Sequence, residues 1–308
     1  MHGPIQIRMG GYGPPTTSFS RALQRIGERI ATELGDAVDV KYVWNIIDFG
    51  YRAEDILWLT ESGVLTLGYQ SSSYLTDRVP ELGLVDLPFL FVTNAQARAA
   101  MDGALGAALA NVIEARTSFR ILGWFENGFR HISNRLRPIR DLADFAGLRI
   151  RVLPSEVQAR TFAALGAVPW KGDLTDALAM LKDGRLDAQE NPLANTVTYG
   201  AHRLHRFHTL TSHFYVSRPV FVPRAQFDAW PEALQRSLRA AVAEAVVWQR
   251  GETAHEHDAA RLALEAEGCE LEELSAAARA SFVAAVQPLH DEARRVYGPQ
   301  LFGLIPEL

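Results

Sequence analysis

Thiols are almost absent from this chain. Cys269 is the one cysteine in 308 residues, which excludes an intrachain disulfide and any multi-thiolate metal site. Standing at an expected strand start, it reads as a small core residue. An excess of positive charge is also missing: 31 Lys and Arg face 36 Asp and Glu, a net charge of −5. Nucleic acid wants a basic surface, so no such partner is expected. No apolar run approaches the ~20 residues needed to cross a bilayer, and there is no internal repeat or low-complexity segment. The first ten residues, MHGPIQIRMG, lack the charged, apolar and small-residue succession of a signal peptide. They read as a mature chain restarted with an added Met. Nucleophilic catalysis has no visible apparatus: there is no G-x-S-x-G elbow, and the lone Cys lacks a nearby partner.

What is present is an alternation of strand and helix patterns, long enough for two α/β lobes with adequate cores. Ile5, Ile7 and Met9 alternate as a first strand and enter Gly10-Gly11-Tyr12-Gly13-Pro14-Pro15. A dinucleotide fingerprint is matched only at Gly11-x-Gly13, and the two prolines remove backbone donors a pyrophosphate would use. The turn instead reads as a loop with a polar tip. Ser18 is the expected cap of the next helix, with Leu23, Ile26, Ile30 and Leu34 on one face. A second strand through Val38, Val40 and Tyr42 delivers Trp44 to its end. Residues 51–61 read as helix and 63–69 as a strand that ends in a serine cluster, where Ser72 could donate to an anion or sit in a plain loop. Residues 95–115 read as one Ala-rich helix.

Leu148, Ile150 and Val152 alternate with Arg149 and Arg151, the period-2 pattern of a half-buried strand. Pro154 stops it, Ser155 caps a helix that ends near Gly166, and Asp173 caps a second helix with Leu174, Leu178 and Leu181 as its buried stripe. A short strand then ends in Gln189-Glu190-Asn191-Pro192. An Arg of one strand and an Asn of the next therefore converge where strands give way to loops, the edge at which open α/β sheets bind ligands. Beyond Pro231, Leu234, Leu238, Val242 and Val246 recur every four residues, with Gly251 as a place where this long helix could bend or split.

These motifs carry a resemblance. G-L-R-I-R from Gly147, P-S at Pro154, A-L-G-A from Ala164 and Q-E-N-P from Gln189 resemble the solute-binding proteins of tripartite ATP-independent periplasmic (TRAP) transporters, the dicarboxylate-binding type. The likeness takes in D-L-P-F-L-F at Asp86 to Phe91, G-x-R-x-x-S-N at Gly128 to Asn134 and L-T-S-H at Leu210 to His213. It implies a non-enzymatic periplasmic receptor that hands a small organic acid to the TRAP membrane subunits, with Arg151 clamping the substrate carboxylate. It also implies a long helix that bridges both lobes and ends at Gly268, with the C-terminal 40 residues packed on the second lobe.

The expected fold is therefore α/β, two-lobed and periplasmic-binding-protein-like, with hinge strands and that long helix. Lobe I takes residues 1–126 plus 213–252, and lobe II takes 127–212 plus 253–308. Strands crossing between lobes suit a hinged cleft protein. The ligand-binding candidates are Arg151, Arg130, Asn191, Phe214, Trp170, Ser72, Trp44 and His213. Arg supplies a planar fork for a carboxylate, Asn191 a donor and an acceptor, and Phe214, Trp170 and Trp44 pocket walls. Pattern alone leaves Arg149 and Arg151 equivalent; the resemblance selects Arg151. Glu190 reads as structural. The family commonly carries an aromatic near Leu174, where this chain has an aliphatic, so Trp170 would have to supply that ring. No cofactor and no metal are expected, and the protein is expected to be a monomer. The alternative is a metal-dependent hydrolase that uses His202, His205 and His208, although their spacing drifts around a helix and no H-E-x-x-H run accompanies them.

Overall fold

Residues 3–305 are described by a computed structural model. Met1, on which the reading of a restarted chain rests, lies outside them. The chain divides into two units, and neither is continuous in sequence. The first takes residues up to Ser72, then Ala110–Glu126 and Ser217–Ala254; the second takes Ser73–Leu109, Asn127–Val216 and the chain from His255 onward. This differs from the expected boundaries, which left residues 73–109 in lobe I. Within that segment Phe89 N–H donates to the His213 carbonyl at 2.7 Å, and Asp86 accepts from Gln158 at 3.1 Å. Such ties join it to the second unit.

In the first unit β1 (Ile5–Gly10) feeds α1 (Ser18–Leu34), whose cap is Thr17, one residue earlier than expected, accepting from Ser20 N–H. Leu23, Ile26 and Ile30 of α1 are buried. β2 (Val38–Val43) pairs in parallel with β1. In the turn between β1 and α1, Gly11 N–H is taken by the Val43 carbonyl and Gly13 N–H by that of Trp44. The amides a phosphate would need are thus occupied, which ends the dinucleotide reading. The expected helix over 51–61 is a 3₁₀ turn followed by α2 (Ile56–Glu61). The expected strand over 63–69 shrinks to β3 (Gly68–Tyr69), because Thr66 and Leu67 are turned into bonds with the Arg8 carbonyl.

The expected Ala-rich helix is two helices, α3 (Asn94–Asp102) and α4 (Ala104–Arg116). Gly103 separates them with an extended backbone, ψ −153°. β4 (Phe119–Phe129) then runs from the first unit into the second.

The second unit is built on a six-stranded mixed sheet. Its strands are β5 (His131–Asn134), β6 (Arg149–Val152), β7 (Val168–Lys171), β8 (Ala188–Asn191), β9 (Phe207–Leu210) and β11 (Glu270–Glu273), in the order β11-β9-β5-β8-β6-β7. β5 is antiparallel to both its neighbours, whereas β8, β6 and β7 run parallel. The parallel pairs need crossovers, supplied by α5 (Glu156–Ala164), capped by Ser155, and α6 (Leu174–Lys182), capped by Asp173. Both caps are those expected. α7 (Leu193–Thr198) follows β8.

β10 (Tyr215–Pro223) returns the chain to the first unit between β3 and β4, and α8 (Arg224–Ala229) follows it. α9 (Glu232–Ala266) runs 35 residues without a break through Gly251 and crosses from the first unit to the second. Leu234, Leu238, Val242 and Val246, spaced by four, are its buried stripe. α10 (Ala276–Phe302), interrupted at Gly298, packs Ala278, Phe282 and Val286 into the second unit's core beside Phe145, Ile150 and Phe162.

Candidate ligand-binding site

Arg151 is interior to β6 and 1 % exposed. Leu148, Ile150 and Val152 alternate with it and fill the core on one face of the sheet, so Arg151 is turned to the opposite face and is buried there. Its register partner on β7 is Trp170, and on β8 it is Gln189. Nε donates to the Gly172 carbonyl at 3.0 Å and Nη2 to the Tyr74 hydroxyl at 3.1 Å. Both partners are neutral. Among the described residues no carboxylate pairs with Arg151. Arg149, two positions earlier, lies at the outer end of the strand and is 44 % exposed. Asp187 takes its Nε at 2.6 Å and its Nη2 at 2.7 Å. Burial and partner therefore separate two arginines that the alternation left equivalent.

Arg130 is equally buried but electrically different. Its backbone stands between β4 and β5, with its N–H on the Phe214 carbonyl and its carbonyl receiving His213 N–H. Its Nε and Nη2 form a two-pronged pair with the Glu190 carboxylate, and Nη2 also reaches the Glu190 carbonyl at 2.6 Å. Burial pushes the Glu190 carboxyl upward, yet the Arg130 charge and the bonds from His213 and Arg130 outweigh it and hold it below its ordinary range. Glu190 is thus the counter-ion of Arg130, and it occupies the Nε and Nη2 edge of that guanidinium. Burial lowers the pKa of the His213 imidazole against the opposing pull of Glu190. One ring nitrogen meets Thr211 Oγ1 at 2.6 Å and the other lies 3.4 Å from Glu190.

The remaining candidates divide. Asn191 faces His131 across the β5–β8 ladder, and its amide donates to Gln189 Oε1 at 2.6 Å. Phe214, expected in a pocket wall, is a core residue packed on Phe162 and His213, 1 % exposed. Trp170 is half-buried beside Gly172, where an added Cβ would come within 2.3 Å of its ring. The glycine lets the indole and the carbonyl that holds Arg151 share one place. Arg151, Arg130, Asn191, Trp170 and His213 are all in the second unit. Ser72 and Trp44 are in the first. Ser72 Oγ is buried without a hydrogen-bond partner among the described residues, and Trp44 stacks on Tyr42 at 4.3 Å. Sequence reasoning missed Tyr74. The run Ser71-Ser72-Ser73-Tyr74 drew attention to its hydroxyls, but nothing in it shows that the phenol meets an arginine 77 positions away.

The histidines of the hydrolase alternative are spent on structure. His205 Nδ1 meets Ser133 Oγ at 2.9 Å, His208 Nε2 meets the His205 carbonyl, and His202 Nδ1 meets the Thr196 carbonyl. Burial lowers His205 to about 3 and His208 to about 4. No group of three or more metal-ligating side chains occurs among the described residues.

Residues 21–295 match the family described as bacterial extracellular solute-binding protein, family 7. The chain belongs to that family. This family 7 protein is 31% identical to a solute-binding protein of Verminephrobacter eiseniae, over 77% of this chain and 70% of that one. It is 26% identical to the C4-dicarboxylate-binding periplasmic protein DctP of Rhodobacter capsulatus, over 98% and 90% of the two chains. The sugar acid binding protein DctPAm of Advenella mimigardefordensis, solved with galactonate, superimposes with a TM-score of 0.93 at 24% identity, covering 99% and 98%. A TRAP periplasmic solute-binding protein of Shewanella oneidensis with bound succinate gives 0.92 at 21% identity, covering 98% of each chain. The two-lobed fold of the TRAP solute receptors is thereby shown for this family 7 chain. The comparisons give the hydrolase alternative no support.

Proposed function

We propose that this protein is a periplasmic TRAP receptor that binds a small organic acid through its carboxylate on Arg151 and delivers it unchanged to the membrane subunits. One observation carries the reading. Arg151 is a buried guanidinium that the fold anchors with two neutral oxygens and, among the described residues, no counter-ion, while Arg130 is paired with Glu190. A buried charge without a partner is costly, and an anionic ligand relieves that cost. The related proteins solved with galactonate, succinate, D-erythronate and D-glucuronate bind acids that each carry a carboxylate. Ser72, Trp44 and Trp170 stay as candidate contacts for the rest of the ligand. Catalysis is not part of the proposal, and the chain acts as a monomer.

The test is a thermal-shift screen of mono- and dicarboxylic acids, sugar acids and sulfonates, with recovery of the bound compound. Stoichiometric binding and an unchanged compound support a receptor. Turnover would sink the reading, and so would a melting point that no acid moves at millimolar concentration.

A further inference from the structure

The oxygen of Tyr74 receives two hydrogen bonds from different parts of the second unit. Arg151 Nη2 donates to it at 3.1 Å, and Leu174 N–H, at the start of α6, donates at 3.1 Å. Tyr74 stands in the 3₁₀ turn Ser72–Leu75, and its ring packs against the core cluster that holds Phe145, Ile150 and Phe162. The ring is thus fixed from behind. Two accepted bonds fill the acceptor capacity of a phenol oxygen.

A guanidinium carries five N–H donors in a rigid plane. Nε–H and one N–H of Nη2 lie along its long edge, and on Arg151 both are used, by the Gly172 carbonyl and by Tyr74. The donors at the end of the fork, on Nη1 and Nη2, form the parallel pair that matches a carboxylate. Arg130 shows the other outcome: its long edge goes to the Glu190 carboxylate, and the charge is neutralised there. On Arg151 the anchors hold the group without cancelling its charge.

We propose that Tyr74 is a positioning residue. It stops the Arg151 guanidinium from turning about the Nε–Cζ bond and keeps the end of the fork presented to a ligand carboxylate. The proposal rests on reading Arg151 as the carboxylate-binding residue. Tyr74 acts through the arginine, by the bond its oxygen accepts from Nη2.

The experiment uses the full chain with labelled arginine and follows rotation about Nε–Cζ by NMR without ligand, assigning Arg151 from its loss in Arg151→Lys. Tyr74→Phe keeps the ring and removes the hydroxyl. It should speed rotation at Arg151 by about tenfold or more, the scale of one lost bond from a charged donor. Arg130, held by Glu190, should not change. Equal rates at Arg151 in wild type and variant overturn the proposal, and so does an equal acceleration at Arg130, which would mean general loosening. A second arm titrates acetate and reads the Trp170 indole N–H in wild type, Tyr74→Phe, Arg151→Lys and the double variant. Tyr74→Phe should weaken acetate binding about tenfold in the wild-type background and have no effect in the Arg151→Lys background, because the loss runs through the fork. The same loss in both backgrounds overturns the positioning role. If acetate leaves wild type undisturbed, the carboxylate reading of Arg151 fails, and the rotation rates still decide what Tyr74 does.

Discussion

Arg130 and Arg151, both in the second unit, are opposite electrical cases, one paired with a carboxylate and one held by neutral oxygens. Arg151→Ala should cost ~2–5 kcal/mol of affinity for an acid that binds wild type, because the ligand carboxylate loses a desolvated partner. Arg151→Lys should fall between, nearer Ala, since a point charge cannot reproduce two parallel bonds. Arg149→Ala should change affinity less than roughly tenfold, because its guanidinium is engaged by Asp187 at the end of the strand. Isothermal titration of the four proteins checks the series, and loss of binding in Arg149→Ala with Arg151→Ala spared would invert the assignment. The motif made Arg151 legible in the sequence. Two features of its setting were not: the Tyr74 partner, which comes from a distant turn, and the burial gradient along β6 that exposes Arg149. Period-2 spacing gives both arginines one face and cannot tell a strand end from its interior.

Asp86 is a second residue whose state depends on remote neighbours. Burial lifts its carboxyl to about 6, against the bonds from Ser73 and Gln158 that hold it down. The unfolded chain gives up this proton near its ordinary value, about 4. Between about pH 4 and pH 6 the native state therefore binds more protons than the unfolded one, and stability falls as pH rises through that window. Asp86→Asn keeps Oδ1 for both donors and removes the titration. Denaturant unfolding should show wild type losing about 2 kcal/mol relative to this variant on going from about pH 4 to about pH 7. Parallel curves for the two proteins would contradict the raised carboxyl.

At the level of elements, the long helix α9 was legible because its apolar residues repeat every four positions, a signal independent of tertiary context. Gly251 was the ambiguous point. It is exposed, an added Cβ would meet nothing within 4 Å, and the helix runs through it unbroken. Gly251→Ala should therefore stabilise the protein by about 0.5–1 kcal/mol, the usual helix-interior difference. The thermal midpoint should rise by roughly 1–3 °C. A fall would show that the helix needs its glycine to bend. The Ala-rich segment went the other way. Composition favoured one helix, but Gly103 breaks it into α3 and α4. The short β3 was also illegible, since bonds to Arg8 across the fold set its limits.

For the whole molecule, the alternation of strands and helices revealed two α/β lobes but misplaced residues 73–109. Their allegiance is decided by Phe89 on His213 and Asp86 on Gln158, contacts between segments far apart in sequence. An acid held at ~100 times its dissociation constant should add about 2.7 kcal/mol by linkage. The melting point should then rise by roughly 5–10 °C if unfolding is close to two-state. Scanning calorimetry across a ligand series gives the slope, and a shift that ignores concentration would mean the acid does not bind the native state.

The discontinuity of both units also bears on how the chain is made. The first unit closes only when Ser217–Ala254 joins the two earlier segments, and the second waits for β11 and α10. At ~5–20 residues per second, a growing polypeptide spends most of its synthesis without a finished half. Such a molecule cannot fold domain by domain as it leaves the ribosome.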